Sequence, residues 1–312
     1  MIGKARSTLM QYRTTTAVGI VIFKRKEKAE TLYKILKEVQ PKKLFIIADG
    51  PRNKAETEAC EETRKVFENI EWPCTVFRNY SDKNMGCCKR PYTGFNWVFE
   101  NVDEAILLED DCIPTVDFFR FCDQMLERYR YDTRIMQICG TNLLGKWDCD
   151  EDSYFFAQWA SCWGWASWSR AWKLYDLQMS AWNNNRVQEL MKQRLGSQIF
   201  KIRKPVFDEH SKMGEELSAW DHQWSFARTI NSGLSITPSV NLVSNIGFGE
   251  DATHTNDMSE THVMAYSLQF PLRHPQYIMP DIKFDLEMAK MVYNARPLYE
   301  KVIRKIKRTF HI

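Results

Sequence analysis

The stretch AVGIVIFKRKEKAETLYKILKEVQPKKLFIIA, residues 17–48, decides the fold class. Its first seven residues are apolar and rich in β-branched side chains, which predicts a buried strand. From Lys24 to Gln40 the apolar residues recur with the spacing of one helical face, and Pro41 ends the helix. Lys43 to Ala48 is a second apolar run and predicts a second buried strand. A strand, a helix and a strand in this order predict two parallel strands joined by a crossover helix.

The same alternation continues over the first ~140 residues. Further strands are predicted at 74–78, 105–108 and 135–139. Further helices are predicted at 54–70, at 91–102 with Pro91 in the first turn, and from the N-cap Thr115 through Tyr129. The sequence therefore predicts an α/β fold in which helices flank a mostly parallel sheet.

The composition excludes several other classes of protein. The 312 residues suit one large α/β domain or two small ones, and the net charge of +3 gives no support for a nucleic-acid partner. Nine cysteines without a CxxC pair argue against zinc and against a disulfide framework. Reduced thiols and the lack of a long apolar stretch predict a cytoplasmic protein, with an unseen secretory leader as the alternative.

The texture of the sequence changes after Gly140, since seven of the 11 tryptophans fall between Trp147 and Trp182. We divide the chain into a nucleotide-sugar-binding half (1–140), an acceptor-binding and catalytic half (141–280) and a basic helical tail (281–312). The tail could rest on an anionic membrane at its inner face, or it could be a solvated helix. Aromatic side chains can form an acceptor platform or simply fill the core, and core packing is favoured for most of these: Trp159, Trp163, Trp165 and Trp168.

Two predicted strands end in acids, Asp49 after KLFIIA and Glu109-Asp110-Asp111 after AILL. Ligands of open parallel sheets bind beyond the carboxyl ends of the strands. Three consecutive carboxylates repel one another, and a hard divalent cation relieves that repulsion through oxygen ligation. The alternatives are that the acids cap the following helix and that Asp49 is a turn residue.

The run LLEDDCIPTVDFFRF at residues 107–121 resembles the acidic signature of GT-A glycosyltransferases, especially the N-acetylglucosaminyltransferase I family. Four more matches follow in the same order: IFKR at 22–25 with IIADG at 46–50, CWGWASWSRAW at 162–172, AWDHQW at 219–224, and NIGFGEDATH at 245–254. The resemblance covers residues 18–254. It implies a GT-A fold and the transfer of a sugar from a UDP-sugar, with UDP-GlcNAc as the favoured donor.

The resemblance also implies roles for individual residues. Arg25 and Asp49 would bind the uracil. In the acidic run, Glu109 would face the donor sugar, Asp110 would contact the ribose and Asp111 would bind a Mn²⁺ or Mg²⁺ ion. Asp221 would be the general base. His222 stands where the family has a second Asp, which leaves open which position is the base.

Chemistry gives these roles a rationale. A divalent metal stabilises the negative charge that develops on a departing diphosphate, and pyrophosphate oxygens with waters can complete its coordination. His254 is a candidate additional ligand, although a single loop histidine is more often structural. A carboxylate at Asp221 could deprotonate the attacking hydroxyl, and one direct attack inverts the anomeric configuration. A helix cap or an ion pair is the alternative for Asp221.

The expected acceptor is a glycan or a lipid-linked or protein-linked hydroxyl. Two other functions remain open. A sugar-nucleotide pyrophosphorylase is disfavoured because the first strand runs into Phe23-Lys24-Arg25 with no glycine-rich phosphate loop. A non-catalytic sugar-binding protein explains the tryptophans but not the acids.

Overall fold

The computed structural model describes residues 12–213, 219–247 and 263–294. These contain ten strands: Ala17–Ile22 (β1), Lys43–Ala48 (β2), Thr75–Tyr80 (β3), Glu104–Glu109 (β4), Cys112–Pro114 (β5), Ile135–Cys139 (β6), Tyr154–Ala157 (β7), Trp165–Trp168 (β8), Leu234–Pro238 (β9) and Val243–Asn245 (β10). They also contain eight α-helices: Lys26–Val39 (α1), Thr57–Lys65 (α2), Gly86–Asn101 (α3), Val116–Arg128 (α4), Ser169–Trp172 (α5), Asn185–His210 (α6), Asp221–Ile230 (α7) and Ile282–Asn294 (α8).

Eight of the strands form one central sheet in the order β3-β2-β1-β4-β8-β6-β9-β7. The pairs β3–β2, β2–β1, β1–β4 and β6–β9 are parallel, while β8 runs antiparallel to both of its neighbours and β7 is an antiparallel edge. The remaining strands, β5 and β10, form a short antiparallel pair. The predicted α/β class with a mostly parallel, helix-flanked sheet is confirmed.

Helices cover both faces of the sheet, as the alternation in the sequence predicts. On one face, Val18 and Ile20 of β1 pack in a cluster with side chains of α1 and α4, including Leu32 and Phe118. On the other face, β2 packs against α3, and α7 contributes Trp224 and Ala227 to the same cluster. Both clusters are fully buried at their centres, and each large aliphatic or aromatic side chain removed from water stabilises the fold by roughly 1.5–3 kcal/mol.

Strand β8 joins the two parts of the chain into one sheet. Ala166 of β8 pairs with Ile106 of β4 on one side and with Ile138 of β6 on the other. The segment 141–280 therefore contributes β7, β8 and β9 to the same sheet as the first 140 residues. The assignment of nucleotide and acceptor binding to the two halves stays a prediction.

The predicted start of the helix at Pro91 is wrong, because α3 begins at Gly86. The first turn is stabilised from elsewhere: the carboxylate of Asp49 accepts hydrogen bonds from the backbone N–H groups of Met85 (2.8 Å) and Gly86 (3.1 Å). Gly86 has φ = 81°, a left-handed conformation that favours glycine. A cap supplied by the end of another strand leaves no local signal in the sequence.

Other boundaries differ less. The helix predicted at 54–70 is a 3₁₀ turn followed by the shorter α2. Thr115 caps α4 as predicted, since its hydroxyl accepts a hydrogen bond from the Phe118 N–H at 3.3 Å. All nine cysteines lie in the described part of the chain, and none of them forms a disulfide bond there.

No described helix combines the length and the apolar character needed to cross a membrane. Two sequence predictions lie outside the described residues. One is the role of His254. The other is the basic part of the predicted tail, residues 295–312, which follows α8.

Candidate active site at the carboxyl ends of the strands

The ends of β1, β2 and β4 meet at one edge of the sheet. The backbone N–H of Asp49 donates to the carbonyl of Ile22 (3.0 Å), and that of Asp110 donates to the carbonyl of Val21 (3.0 Å). The strand ladders thus continue up to both acidic sites. As a result, the structure brings Arg25, Asp49 and the acidic run together at the edge where ligands bind in open α/β sheets.

Asp110 is a buried carboxylate held by the end of β1. Its side chain is 1% exposed, receives the Arg25 guanidinium and accepts a hydrogen bond from the backbone N–H of Phe23 at 3.4 Å. Burial raises the pKa of Asp110 to about 6, and the nearby Arg25 opposes the shift.

Arg25 also donates to Asp111 Oδ2 at 3.0 Å. Burial lowers the pKa of the Arg25 guanidinium, but the negative charges of Asp110 and Asp111 raise it by more. The pKa of Arg25 therefore lies above its ordinary value. Arg25 therefore clamps two of the three consecutive carboxylates, and a nucleotide contact by the same side chain would have to share it with them.

Asp111 is contacted by a loop that sequence reasoning did not assign to it. Strand β10 pairs with β5 so that Asn245 lies opposite Cys112, and Asn245 Nδ2 donates to Asp111 Oδ1 at 3.3 Å. Asn245 Oδ1 accepts from the Gly247 N–H at 2.6 Å. A Cβ at Gly247 would lie 2.4 Å from Asp111 Oδ2, so only glycine leaves this space to the carboxylate. The available signal was the Asn- and Gly-rich run NIGFG.

Glu109 connects the strand end to α7. Burial, followed by Asp111 and Asp110, raises the pKa of Glu109 to about 8, whereas Arg25 and a hydrogen bond from the Trp220 side chain oppose the shift. Trp220 directly precedes Asp221, the first residue of α7. Trp220 also stacks on Trp165 of β8, with ring centroids 5.4 Å apart, and Trp165 pairs with Leu107 of β4. The predicted base, Asp221, therefore lies near the carboxylates at the end of β4.

Cys87, in the first turn of α3, gives a second indication of this convergence. The pKa of its thiol is raised by desolvation and then by the negative charges of Glu109, Asp49 and Asp221. These carboxylates belong to three different elements, and one thiol lies close enough to respond to all of them. This shift agrees with the stacking of Trp220 on Trp165, which places the start of α7 near the end of β4.

Asp49 is 5% exposed and fully hydrogen-bonded inside the chain. Besides the two N–H groups of α3, its carboxylate accepts from the Gly50 N–H (2.8 Å) and from Asn84 Nδ2 (3.0 Å). Burial raises the pKa of Asp49, and these N–H donors oppose the rise. Asp49 shapes the loop before α3, and its predicted contact with uracil stays a prediction.

The acids fit a divalent metal only in part. Among the residues that the structure describes, no three His, Cys, Asp or Glu side chains are grouped to hold a metal ion. Asp111 offers hard, half-buried oxygen atoms at a place where two carboxylates share one guanidinium, and such oxygens suit Mg²⁺ or Mn²⁺. Most ligands of a metal here would have to come from a bound substrate and water.

The tryptophans divide as the packing interpretation predicts. Trp165 and Trp168 are 1% and 2% exposed and belong to the core. Trp159 is half-buried and lines a small pocket together with Asp221 and His222. One of the four candidate platform residues is therefore beside the candidate base.

No protein-family model and no curated protein sequence matches the chain. Among solved structures, the chain is similar to a UDP-glucose pyrophosphorylase complexed with UDP-glucose, with 8% identity, 90% of this chain and 100% of that chain covered, and a TM-score of 0.37. It is also similar to the galactosyltransferase LgtC in complex with donor and acceptor sugar analogues, with 11% identity, 91% and 99% coverage and a TM-score of 0.35. Likenesses at TM-scores this low establish neither a shared fold nor a shared function.

Proposed function

We propose that the protein is an inverting, metal-dependent glycosyltransferase that moves a sugar from a UDP-sugar, preferably UDP-GlcNAc, to an acceptor hydroxyl. The observation that carries the proposal is the position of α7, because Trp220 stacks on Trp165 of β8 (ring centroids 5.4 Å apart) and Trp165 pairs with Leu107 of β4. Asp221 follows Trp220, so a carboxylate able to take a proton lies near the acidic end of β4, where a nucleotide is expected to bind.

The donor side of the site consists of four acids and one arginine. Asp111 would hold Mn²⁺ or Mg²⁺, and such an ion supplies Lewis-acid stabilisation of the charge on a departing diphosphate. Asp110 is fixed by Arg25 and Phe23, which suits a rigid contact to ribose. Glu109 would contact the donor sugar, and Asp49 would act on the base side by positioning the Asn84–Gly86 loop.

The acceptor side centres on Asp221. Its position in the first turn of α7 leaves the carboxylate half-exposed at the mouth of the pocket with Trp159. A carboxylate in hydrogen-bond reach of the attacking hydroxyl accelerates transfer by on the order of 10²–10⁴-fold. A single attack opposite the leaving group inverts the anomeric centre and needs no enzyme nucleophile.

The residues between β1 and α1 disfavour the alternative function, a sugar-nucleotide pyrophosphorylase. The connection between β1 and α1 is Phe23-Lys24-Arg25, and its side chains point to acids rather than forming a glycine-rich phosphate cradle. A non-catalytic sugar-binding protein would need neither the acid run nor its arginine clamp. The proposed acceptor is a hydroxyl of a glycan or of a lipid-linked or protein-linked acceptor. The proposed location is the cytoplasm, at the inner face of the membrane.

A panel of UDP-sugars incubated with Mn²⁺ tests the donor, because slow hydrolysis of the correct UDP-sugar releases UDP without any acceptor. Asp221→Asn should reduce the rate of sugar transfer at least 100-fold. The affinity for UDP should stay within twofold of wild type, since the base acts only on the acceptor. Lost UDP binding in this variant would reassign Asp221 to the donor side. Asp176→Asn, at an exposed turn before α6, is the matched control.

A further inference from the structure

The pocket beside Asp221 is lined in part by a buried cation. Its lining includes Trp159, Cys162, His222 and Ser225 together with Arg228 of α7. Arg228 is 1% exposed. The proposed transfer mechanism assigns no role to Arg228.

Arg228 has few acceptors for its five N–H groups. Its Nη1 donates to the carbonyl of Gln158 over a long 3.4 Å, and its buried Nε has no hydrogen-bond partner among the residues that the structure describes. Burial lowers the pKa of Arg228 to about 10, so the side chain is still charged at neutral pH. A buried guanidinium with open donors is costly unless an acceptor, preferably an anion, approaches it.

The other charges near Arg228 leave room for an anion. Asp285 is close enough to raise the pKa of Arg228, but the Asp285 carboxylate is already engaged by the backbone N–H groups of Gln158 (3.1 Å) and Trp159 (2.7 Å). A second buried guanidinium, that of Arg203, lowers the pKa of Arg228. Two buried arginines and one buried carboxylate therefore lie in this region, and Asp221 and His222 line the same pocket as Arg228.

The helix geometry links this cation to the candidate base. Asp221 and Arg228 are seven residues apart, which places them on one face of α7 about 10 Å apart along its axis. Side chains on a helix lean towards its N-terminus, so the Arg228 guanidinium reaches towards Asp221. A sugar that presents a hydroxyl to Asp221 can therefore direct a substituent towards Arg228, since both residues line this pocket.

We propose that the Arg228 pocket binds the anionic group, a carboxylate or a phosphate, of an acidic acceptor sugar whose hydroxyl faces Asp221. The identification of the ligand as an acceptor rests on the proposed function, but the anion site itself does not. The class of acceptor is therefore acidic rather than neutral.

Binding of small probes without UDP or metal tests the site separately from catalysis. Methyl glucuronide is compared with methyl glucoside, and glucose 6-phosphate with glucose, by isothermal titration. We expect at least one acidic probe to bind tenfold or more tightly than its neutral partner, and the tighter of the two distinguishes carboxylate from phosphate. Equal binding of acidic and neutral probes would overturn the proposal.

Variants locate the preference. Arg228→Gln should abolish it, whereas Arg134→Gln, which removes the same charge from an exposed position, should keep it. Ser225→Asp provides a second variant if Arg228→Gln does not fold, because its carboxylate would compete for the same guanidiniums. A preference that persists in a folded variant of either kind contradicts the proposal. An acidic preference without any transfer would remove the proposed function and leave the anion site standing.

Discussion

At the scale of single residues, the proposed chemistry depends on the excess of carboxylates over cations at the end of β4. Glu109, Asp110 and Asp111 are consecutive, and Arg25 is the cation that contacts the last two. One guanidinium cannot neutralise three carboxylates, and burial makes the excess negative charge more costly. A cation delivered with a diphosphate would relieve that cost, which is the physical reason to place metal and leaving group here.

Gly247→Ala tests whether the loop after β10 keeps Asp111 accessible. Because the added Cβ would meet Asp111 Oδ2 at 2.4 Å, the carboxylate or the loop must move. We expect the Mn²⁺-dependent affinity for UDP to fall about tenfold, or ~1.4 kcal/mol, with a change in unfolding free energy below ~1 kcal/mol. Calorimetric titration and urea unfolding measure the two effects. Ser244→Ala, in the strand β10 that precedes this loop, is the control, and unchanged UDP affinity in Gly247→Ala would contradict this role.

At the scale of secondary structure elements, the site is built by side chains that reach from one element to the end of another. Asp49 follows β2 and caps α3, Trp220 precedes α7 and stacks on Trp165 of β8, and Asn245 of β10 contacts Asp111. Each contact fixes the end of an element at the edge of the sheet. The positions of the acids therefore depend on these caps as much as on the strands.

Asp49→Asn tests the cap on α3. The amide can accept only part of the four hydrogen bonds that the carboxylate receives, and it points two N–H donors at other donors. We expect the unfolding free energy to fall by roughly 2–3 kcal/mol, measured by urea denaturation. The exposed neighbour Asp82→Asn should change it by less than ~0.5 kcal/mol. Equal effects of the two substitutions would show that Asp49 does not stabilise the helix.

The sequence predicts those features that depend on local periodicity or on composition. The strands β1, β2, β4 and β6, the cap at Thr115 and the acids at one sheet edge all follow from runs of neighbouring residues. The early start of α3 could not be predicted, because its cap comes from Asp49, 36 residues before Met85. Asn245 and Arg228 were missed for the same reason, since their partners lie far away in the chain and only folding brings them together.

At the scale of the whole molecule, the central sheet and helix α8 hold the described parts of the chain together. Strand β8 joins β4 to β6, and α8 is fastened to the end of β7 by Asp285, which accepts hydrogen bonds from the N–H groups of Gln158 and Trp159. Asp285 is 2% exposed, and burial raises its pKa to about 6, opposed by those N–H groups and by two arginines.

This shift predicts a pH dependence of global stability. Between pH 4 and 6 the folded state holds the Asp285 proton more firmly than the unfolded state, so its contribution to the unfolding free energy decreases as pH rises. The decrease is on the order of 2–3 kcal/mol across this range. Urea unfolding of wild type and Asp285→Asn at pH 4, 5, 6 and 7 isolates the contribution, since the variant should lack it. Parallel pH profiles for the two proteins would show that Asp285 does not titrate in this range.

The most direct test of the central claim is the affinity for UDP with and without Mn²⁺, measured by isothermal titration in wild type, Asp111→Ala and Asp103→Ala. Asp103 is an exposed acid before the other end of β4 and serves as the matched control. We predict that Mn²⁺ increases UDP affinity at least tenfold in wild type and in Asp103→Ala, and that Asp111→Ala loses the increase. UDP binding that ignores Mn²⁺ in wild type, or an undiminished response in Asp111→Ala, would contradict the account.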